Sequence, residues 1–203
     1  MKKIFFMMAM AAMVAVSCQK DGDKGNTGNN GDEGTNPPAN ENYTRLFDDF
    51  EDGGLLEWNG NGGATVAVVE NPSKTGINTS ESVCKVTHGG AQWEIAYSAH
   101  FMDGTTTDYV NFSEDGYIVR VDVYSPKANN PVYLKFEGDN VPNVEIQNVK
   151  TTKANEWETL EFDYEPYNIV DGAYRNLVIV FDAGAVTTVG ESYYFDNVRL
   201  CAE

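Results

Sequence analysis

Beyond residue 42, the sequence is a succession of short apolar runs separated by glycine, asparagine, aspartate and proline. The runs are about six to nine residues long, are rich in valine, isoleucine, tyrosine and phenylalanine, and in several places alternate apolar with polar positions. We predict β-strands over the following stretches: 64–69, 82–87, 93–98, 117–124, 132–137, 144–149, 156–164, 177–181 and 193–200. Because no stretch has ten or more residues of helical periodicity, crossover helices are not expected. The pattern predicts an all-β domain over 43–203, built as an antiparallel β-sandwich.

The alternation within two of these runs assigns their faces. In 132–137 the valine, leucine and phenylalanine share one side of the strand, and Tyr133, Lys135 and Glu137 share the other. The valines of 117–124 also fall on a single side. We expect the aliphatic sides to face the core and the polar sides to face solvent.

The N-terminus has the order of a secretory signal peptide over residues 1–17. Two lysines precede an apolar stretch at 4–16 that is too short for a permanent membrane span, and small Ser17 precedes Cys18. The run from Ala15 to Cys18 resembles a bacterial lipobox, which implies lipidation of the Cys18 thiol and anchoring by the lipid chains. An ordinary secretory signal followed by a chance cysteine is the alternative.

Residues 18–42 are predicted to be the lipidated cysteine and a flexible Gly/Asn/Asp linker. From 19 to 42 there is no Ile, Leu, Val, Phe, Tyr or Trp, so ordering this segment would bury no large apolar surface. The stretch 19–23 resembles export signals of surface lipoproteins in glycan-degrading Gram-negative bacteria. That resemblance implies an outer-membrane, lipid-anchored protein on the cell surface.

The charge excludes one class of partner. The chain has 31 acidic and 14 basic residues, a net charge of −17, and no clustered lysine or arginine that could hold a nucleic-acid backbone. Aromatic residues make up 12% of the chain, which is enough for a packed core. We therefore expect a folded acidic protein that does not bind nucleic acid.

Three carboxylates on one strand suggest a possible hydrolase. Glu161, Asp163 and Glu165 lie at alternate positions and so share a face, and they resemble the ExDxE core of family 16 glycoside hydrolases. Pro166 follows at once, and a domain of this size is small for the cleft of such an enzyme. We favour an acidic solvent face without catalysis, and keep a small glycoside hydrolase as the alternative.

The histidines and the remaining cysteines show no metal-ligand or nucleophile spacing. His88 and His100 are the only histidines, and we expect both on the surface or in turns. Cys84 and Cys201 could form a disulfide if their strands are neighbours, or they could remain buried thiols.

The two ends of the domain resemble a known family. The stretch 46–53, followed by Trp58, and the stretch 194–200 are similar to the first and last strands of family 11 carbohydrate-binding modules, which are galactose-binding-like jelly rolls. The stretch 71–76 and Trp157 match further elements of these modules. The resemblance implies a jelly roll that binds glycan chains on the concave face of one sheet without cleaving them.

The resemblance also implies site residues. The following are expected to contact carbohydrate: Gln92, Trp93, Tyr133, Lys135, Glu137 and Phe181. Modules of this group commonly hold a structural calcium ion, and Asp49, Glu51 and Asp196 match the positions of its oxygen ligands.

The resulting hypothesis is a non-catalytic, cell-surface lipoprotein domain that binds a polysaccharide or oligosaccharide. Its partners would be the glycan, the membrane through the N-terminal lipid anchor, and glycan-degrading enzymes or an outer-membrane transporter. A structural or protein-binding lipoprotein without a sugar site is a further alternative.

Overall fold

The computed structural model describes residues 43–103 and 106–202. The predicted signal peptide, Cys18 and the linker lie outside the described residues. Within the described part of the chain, no helix is long and apolar enough to cross a membrane. A short 3₁₀ turn, Glu51–Gly53, and a helical turn, Phe112–Asp115, are the helical elements found there.

The described residues form strands that follow one another with short connections. In chain order they are β1 (Tyr43–Asp48), β2 (Trp58–Asn61), β3 (Thr65–Glu70), β4 (Ser82–Thr87), β5 (Ile95–Ser98), β6 (Met102–Asp103), β7 (Thr106–Thr107), β8 (Ile118–Tyr124), β9 (Pro131–Gly138), β10 (Val144–Lys150), β11 (Trp157–Asp163), β12 (Tyr174–Phe181) and β13 (Ser192–Cys201).

Two antiparallel sheets make the sandwich. The back sheet has six strands in the order β11-β8-β13-β4-β3, with β1 pairing with the C-terminal half of β13. The front sheet has five strands in the order β10-β9-β12-β5-β2, and β6 pairs with β7 in a small separate hairpin. The predicted fold class, an antiparallel β-sandwich, is confirmed.

The core lies between the sheets and is built from the faces that alternation assigned. Val132, Leu134 and Phe136 of β9 are buried in it, opposite the valines of β8. Tyr164, just past β11, is fully buried and donates its hydroxyl to Leu134 O at 2.9 Å, so this buried polar atom has a partner. The rings of Phe50, Phe195 and Trp58 pack edge to face or tilted, and extend the core toward β2.

Each strand predicted from the apolar runs is present, with bounds that differ by at most three residues. β2 was not predicted, because Trp-Asn-Gly-Asn carries no strand pattern; it is a strand because its backbone pairs with β5 from Trp58↔Ser98 to Asn61↔Ile95. The short β6 and β7 were also missed. Edge pairing of this kind depends on a neighbour that local sequence does not specify.

The cysteines lie on neighbouring strands, yet no disulfide joins them. Cys84 of β4 faces Phe195 on β13, whereas Cys201 is at the far end of that strand. The register therefore separates their Cα atoms well beyond the span of a disulfide. Burial raises the pKa of the Cys84 thiol, which keeps it protonated and unreactive.

Candidate functional site

The outer face of the front sheet, meaning the side turned away from the core, carries one row of side chains across every strand. Backbone pairing aligns Glu145 with Lys135, Lys135 with Val178, Val178 with Tyr97, and Tyr97 with Asn59. The row begins and ends with polar groups and is apolar in the middle. Tyr97 and Lys135 are half-buried, so the row offers partly exposed side chains to solvent.

The centre of this outer face is a small hydrophobic cluster separate from the core. Val178, Val180 and Tyr133 are buried there, and the half-buried Ile95 and Tyr97 pack against them. Alternation explains the cluster, since these β12 valines point away from the core while the residues between them point into it. The outer face is therefore apolar at its centre, where a wholly solvated sheet face would be polar.

A polar group borders the cluster at Glu137. Its carboxylate accepts hydrogen bonds from Lys135 Nζ at 2.8 Å and from Asn176 Nδ2 at 2.8 Å. Burial raises the pKa of Glu137, but the hydrogen bonds and charge of Lys135, together with Asn176, outweigh it and leave the pKa below its ordinary value. Glu137 is thus ionised at neutral pH, and its charge is balanced locally by Lys135.

A second polar group borders the cluster at Glu145. The Tyr133 hydroxyl donates to Glu145 Oε2, and Gln147 Nε2 donates to Glu145 Oε1 at 2.8 Å. Burial and the neighbouring carboxylate raise the pKa of Tyr133, so its hydroxyl stays a donor. The outer face thus presents amide, carboxylate, ammonium and phenol groups in fixed positions around an apolar centre.

Trp93 lies two residues before β5, in the loop that leads into that strand of the front sheet. Its indole is 49% exposed, and its backbone has φ 62°, a left-handed conformation that is rare for a bulky residue. Gln92 Nε2 donates to Gly184 O at 2.8 Å, and a side chain at Gly184 would begin 3.7 Å from the indole ring. The Gln92 side chain therefore links its own loop to the loop that contains Gly184. This hydrogen bond lies beside Trp93, which remains half exposed to solvent.

A cavity of about 340 Å³ opens at the opposite end of the front sheet. It is lined by residues of the loops that enter β10 and β12, which are Pro142, Asn143, Val144, Glu145, Tyr167, Asn168, Val170 and Tyr174. Tyr167 is 41% exposed, so an aromatic ring is available at this end as well. Glu145 belongs both to the cavity and to the outer-face row.

Two of the predicted carbohydrate contacts are not available to a ligand in the expected way. Phe181 is fully buried, and its ring stacks on Tyr193 with centroids 4.8 Å apart, because position 181 shares the core face with Leu177 and Ile179. Its assignment to the sugar-facing side was wrong, because alternation along 177–181 already places position 181 on the core face. Tyr133 is on the predicted face but is covered, and only its hydroxyl borders the surface.

Sequence reasoning missed two members of the face. Tyr97 and Asn176 lie on its outer side, in cross-strand register with the predicted Lys135 and Glu137. Alternation within 93–98 could have identified Tyr97. Asn176 lies before the predicted start of its strand, so no sequence signal placed it there.

The acidic triplet on β11 lies on the other side of the molecule. Glu161 and Asp163 are exposed on the outer face of the back sheet, at its edge strand, and Glu165 is exposed just beyond it. Arg120 donates to Glu161 Oε2 at 3.0 and 3.1 Å. These exposed carboxylates form the solvent face that the sequence favoured.

Two of the three predicted calcium ligands, Glu51 and Asp196, contact the segment 78–82. Glu51 Oε1 accepts the backbone N–H groups of Glu81 at 2.8 Å and of Ser82 at 3.0 Å, and Asp196 accepts from Asn78 Nδ2 at 2.6 Å. Burial raises the pKa of Asp196 to about 7, so the site disfavours an uncompensated negative charge.

Asp49 is less well placed for calcium. Its Oδ1 accepts the Glu51 N–H at 3.2 Å, within its own turn. Across the described residues, three histidine, cysteine or acidic side chains have ligand atoms within 4.8 Å of one another only at His88, Asp182 and Glu191. The three predicted ligands do not form such a group. The neighbouring Asp48 is buried and saturated, because its oxygens accept three backbone N–H groups and the Trp58 Nε1 proton at 2.9–3.0 Å.

His88 is the clearest departure from the sequence-based expectation. It was expected on the surface or in a turn, but it is buried just past the end of β4, with its ring 5.0 Å from that of Tyr193. Burial lowers the pKa of His88 below its ordinary value, which favours the neutral imidazole. His100, by contrast, is exposed as expected.

Comparison with solved structures gives the same architecture. The N-terminal endo-1,4-β-D-xylanase 10B fragment of Clostridium thermocellum, which carries CBM22-1 and GH10 modules and was solved with xylohexaose, is 16% identical with a TM-score of 0.50, over 80% of this chain and 29% of that one. The family 22 carbohydrate-binding module at the C-terminal end of the same organism's Xyn10B gives 18% identity and 0.49, over 81% and 97%. The family 11 module of its cellulase Lic26A-Cel5E gives 16% and 0.49, over 78% and 94%. At these identities the likeness concerns the fold alone.

Comparison by sequence family is more informative about function. No curated protein matches the chain significantly. A family model described as a carbohydrate binding domain, CBM_4_9, matches residues 43–187, which is most of the chain. The match is to a binding domain, which confirms the prediction of a carbohydrate-binding module that is not an enzyme. The chain therefore belongs to the CBM_4_9 family of carbohydrate-binding domains.

Proposed function

We propose that the domain binds a polysaccharide or oligosaccharide on the outer face of the front sheet. The observation that supports this location best is the row from Glu145 to Asn59, which crosses all strands of that sheet and is apolar at its centre. Sugar rings have apolar faces and a periphery of hydroxyl groups. The half-buried Tyr97 ring, bordered by fixed donors and acceptors, complements that chemistry.

Each end of the face has an aromatic group that could extend the contact. Trp93 is half exposed and is held in an unfavourable backbone conformation, and strain of this kind often accompanies a ligand-contacting role. Tyr167 lies at the cavity beyond the other end. A chain of several sugar units could therefore contact both ends, whereas a monosaccharide would use only one.

The charges on the face favour a neutral glycan. Glu137 is paired with Lys135 at 2.8 Å, and Glu145 accepts from Tyr133 and Gln147. An anionic sugar would meet two carboxylates and a single ammonium that is already engaged. Uncharged hydroxyls can hydrogen-bond to the same groups without that electrostatic cost.

The test is affinity electrophoresis of the full chain against a panel of plant, host and algal glycans, followed by calorimetry on the best ligand. We expect Trp93→Ala and Tyr97→Ala each to weaken binding about fivefold, since one ring contact is worth roughly 1 kcal/mol. Tyr194→Ala is the matched control, because Tyr194 lies half-buried in the back sheet, which the proposal leaves uninvolved. Binding of no glycan, or an equal loss in Tyr194→Ala, would contradict the location and leave a structural or protein-binding module.

We further propose that the domain is displayed on the outer surface of the cell by lipid chains on Cys18. The support is the signal peptide over 1–17, the lipobox-like run and the linker over 18–42. Metabolic labelling with radioactive palmitate should label the wild type and fail to label Cys18→Ser. Protease added to intact cells should remove the domain, and protection from the protease would contradict surface exposure.

Surface tethering would give the binding domain its role. By retaining a glycan near the membrane, it would raise the local substrate concentration for glycan-degrading enzymes or an outer-membrane transporter, without any chemistry of its own. Growth on limiting glycan should therefore slow when Trp93→Ala replaces the wild type. Unchanged growth would argue against this role even if binding is lost.

We also propose a structural calcium ion held by Glu51 and Asp196, with Asp49 as a predicted third ligand. Both carboxylates contact 78–82, and the raised pKa of Asp196 marks negative charge that a cation would compensate. EGTA should lower the melting temperature by roughly 5 °C, with recovery on adding calcium. Asp196→Asn should abolish this response, whereas Asp163→Asn on the solvent face should retain it. An EGTA-insensitive melting curve would contradict the proposal.

A further inference from the structure

The buried imidazole of His88 has neither ring nitrogen hydrogen-bonded within the described residues. Its Nδ1 atom faces two carboxylates, at 3.8 Å from Asp182 Oδ2 and 3.9 Å from Glu94 Oε2. Both distances are too long for hydrogen bonds. Burying polar nitrogens without partners is unfavourable, so this position calls for a ligand that the protein itself does not supply.

Two carboxylates complete a group around that nitrogen. Asp182 follows β12 and Glu191 precedes β13, and one ligand atom from each lies within 4.8 Å of the others and of a His88 nitrogen. The chain thus brings together one imidazole and two carboxylates from two connections of the sandwich, the loop after β4 and the loop between β12 and β13. Sequence spacing gave no sign of this group, because His88 is more than ninety residues from the two carboxylates.

Glu94 lies equally near but has a different role. Its oxygens accept the N–H groups of Gly89 at 2.9 and 3.1 Å and of Ala91 at 3.0 Å, and the Thr187 hydroxyl at 2.8 Å. Burial raises the pKa of Glu94, but these bonds outweigh it and lower the pKa overall. Glu94 is therefore fully used in fixing the loop next to His88 and is not a ligand candidate.

A cation already lies between the two carboxylates. Lys127 Nζ is 2.9 Å from Asp182 and 3.0 Å from Glu191. The Tyr193 hydroxyl oxygen lies 2.7 Å from Asp182 Oδ2 and 2.9 Å from Glu191 Oε2, so its single proton is shared between the two carboxylates. The Lys127 side chain is 42% exposed, so its ammonium can move to solvent without passing through the core. The site is arranged for positive charge, yet the lysine leaves the His88 nitrogens unsatisfied.

We propose that His88, Asp182 and Glu191 bind one zinc ion, which replaces the Lys127 ammonium between the carboxylates. One imidazole and two carboxylates form a mixed nitrogen and oxygen set of the kind that zinc accepts at about 2.0–2.2 Å. The Tyr193 hydroxyl would continue to donate to the ligating carboxylates and keep them oriented. Calcium fits less well, because it prefers six or more oxygen ligands.

Bound zinc would stabilise the loops at one end of the outer face of the front sheet. It would connect the end of β4 and the end of β12 to the start of β13. The hydrogen bond between Gln92 and Gly184, beside Trp93, joins the same two loops. The inference does not depend on sugar binding, since it rests on the geometry around His88 alone.

The test is equilibrium dialysis of the untagged full chain against zinc chloride at neutral pH, with the bound metal quantified. We expect one zinc ion per chain in excess of the amount that His88→Asn retains, and at least tenfold weaker binding in His88→Asn. The exposed His100→Asn is the matched control and should bind as the wild type does. Lys127→Gln should bind zinc more tightly, about tenfold, because the competing ammonium is removed.

The direction of the Lys127→Gln effect separates this site from adventitious binding to an acidic surface. If His88→Asn fails to fold, the half-buried Glu191→Gln gives the same comparison, and zinc-edge X-ray absorption of the wild type should show one imidazole ligand. Absence of micromolar binding, equal affinity in His88→Asn, or an absorption spectrum without imidazole would overturn the proposal.

Discussion

Two buried charged clusters, both of which sequence reasoning missed, show how differently one sandwich can bury charge. In the saturated cluster, Asp122 accepts from Thr159 at 2.7 Å, from Asn197 at 2.9 Å and from Arg199 at 3.3 Å. In the open cluster, Lys127 and Tyr193 satisfy Asp182 and Glu191, but the adjacent His88 has no hydrogen bond.

The difference lies in where each cluster sits. The saturated cluster is on the paired strands β11, β8 and β13, where backbone pairing places the partners of Asp122 near it. Its aspartate, Asp122, has a pKa that burial raises and that Arg199, Thr159 and Asn197 lower in part. The open cluster is built from connections between strands, where ligand sites more often occur. A buried group without a partner is therefore informative about binding, and a satisfied one about stability.

The largest change in the free energy of unfolding is expected for a substitution in the saturated cluster. Asp122→Ala deprives the buried Arg199 guanidinium of this carboxylate and should cost about 3–5 kcal/mol of the free energy of unfolding. Urea denaturation monitored by tryptophan fluorescence measures it. Asp163→Ala, on the exposed side of β11, is the control and should change the value little. A loss below about 1 kcal/mol would show that the cluster adds little to stability.

A smaller change in the free energy of unfolding is expected where the segment 71–78 contacts Trp157 of β11. Trp157 Nε1 donates to Ser73 O at 2.9 Å and to Asn71 Oδ1 at 3.2 Å. Trp157→Phe keeps a ring beside Tyr124 but removes the donor, and should cost about 1–2 kcal/mol. The half-exposed Trp93→Phe is the matched control, and an equal cost in both variants would show that ring size matters more than the hydrogen bonds.

In the open cluster, by contrast, replacing the buried histidine should raise the free energy of unfolding. In buffer with EDTA, His88→Leu removes polar nitrogens that have no partner and keeps an apolar side chain against Tyr193. We expect a gain of roughly 1 kcal/mol in the free energy of unfolding, because the desolvation cost disappears. A clear loss in chemical denaturation would instead mean that His88 is satisfied in solution. The two clusters would then not differ as described.

The smallest effect is expected at the exposed ion pair of the back sheet. Glu161→Gln removes the charge that Arg120 contacts at 3.0 Å, yet the glutamate is exposed and screened by water. The free energy of unfolding should change by less than about 0.5 kcal/mol. Wild type and variant should both fail to release reducing sugar from mixed-linkage glucan, and turnover by the wild type alone would revive a catalytic role.

Much of the candidate face could be predicted from local pattern, and the errors have identifiable causes. Lys135 and Glu137 lie on the expected side of β9 because strand alternation is a local property. Phe181 was misplaced because its aromatic character was given more weight than its position in the alternation. The buried state of His88 could not be foreseen, since it depends on which loops meet at the end of the sandwich.

The sequence by itself determined the class of fold and the direction in which most strand residues point. Apolar alternation over short runs admits few structures other than antiparallel sheets, and the net charge of −17 argues against polyanion binding. Tertiary structure alone decided which strands are neighbours, and so placed Tyr97 beside Val178 and His88 beside Asp182. Both outcomes follow from one physical fact: side-chain direction repeats every two residues along the chain, whereas contacts between distant segments depend on register and loop closure.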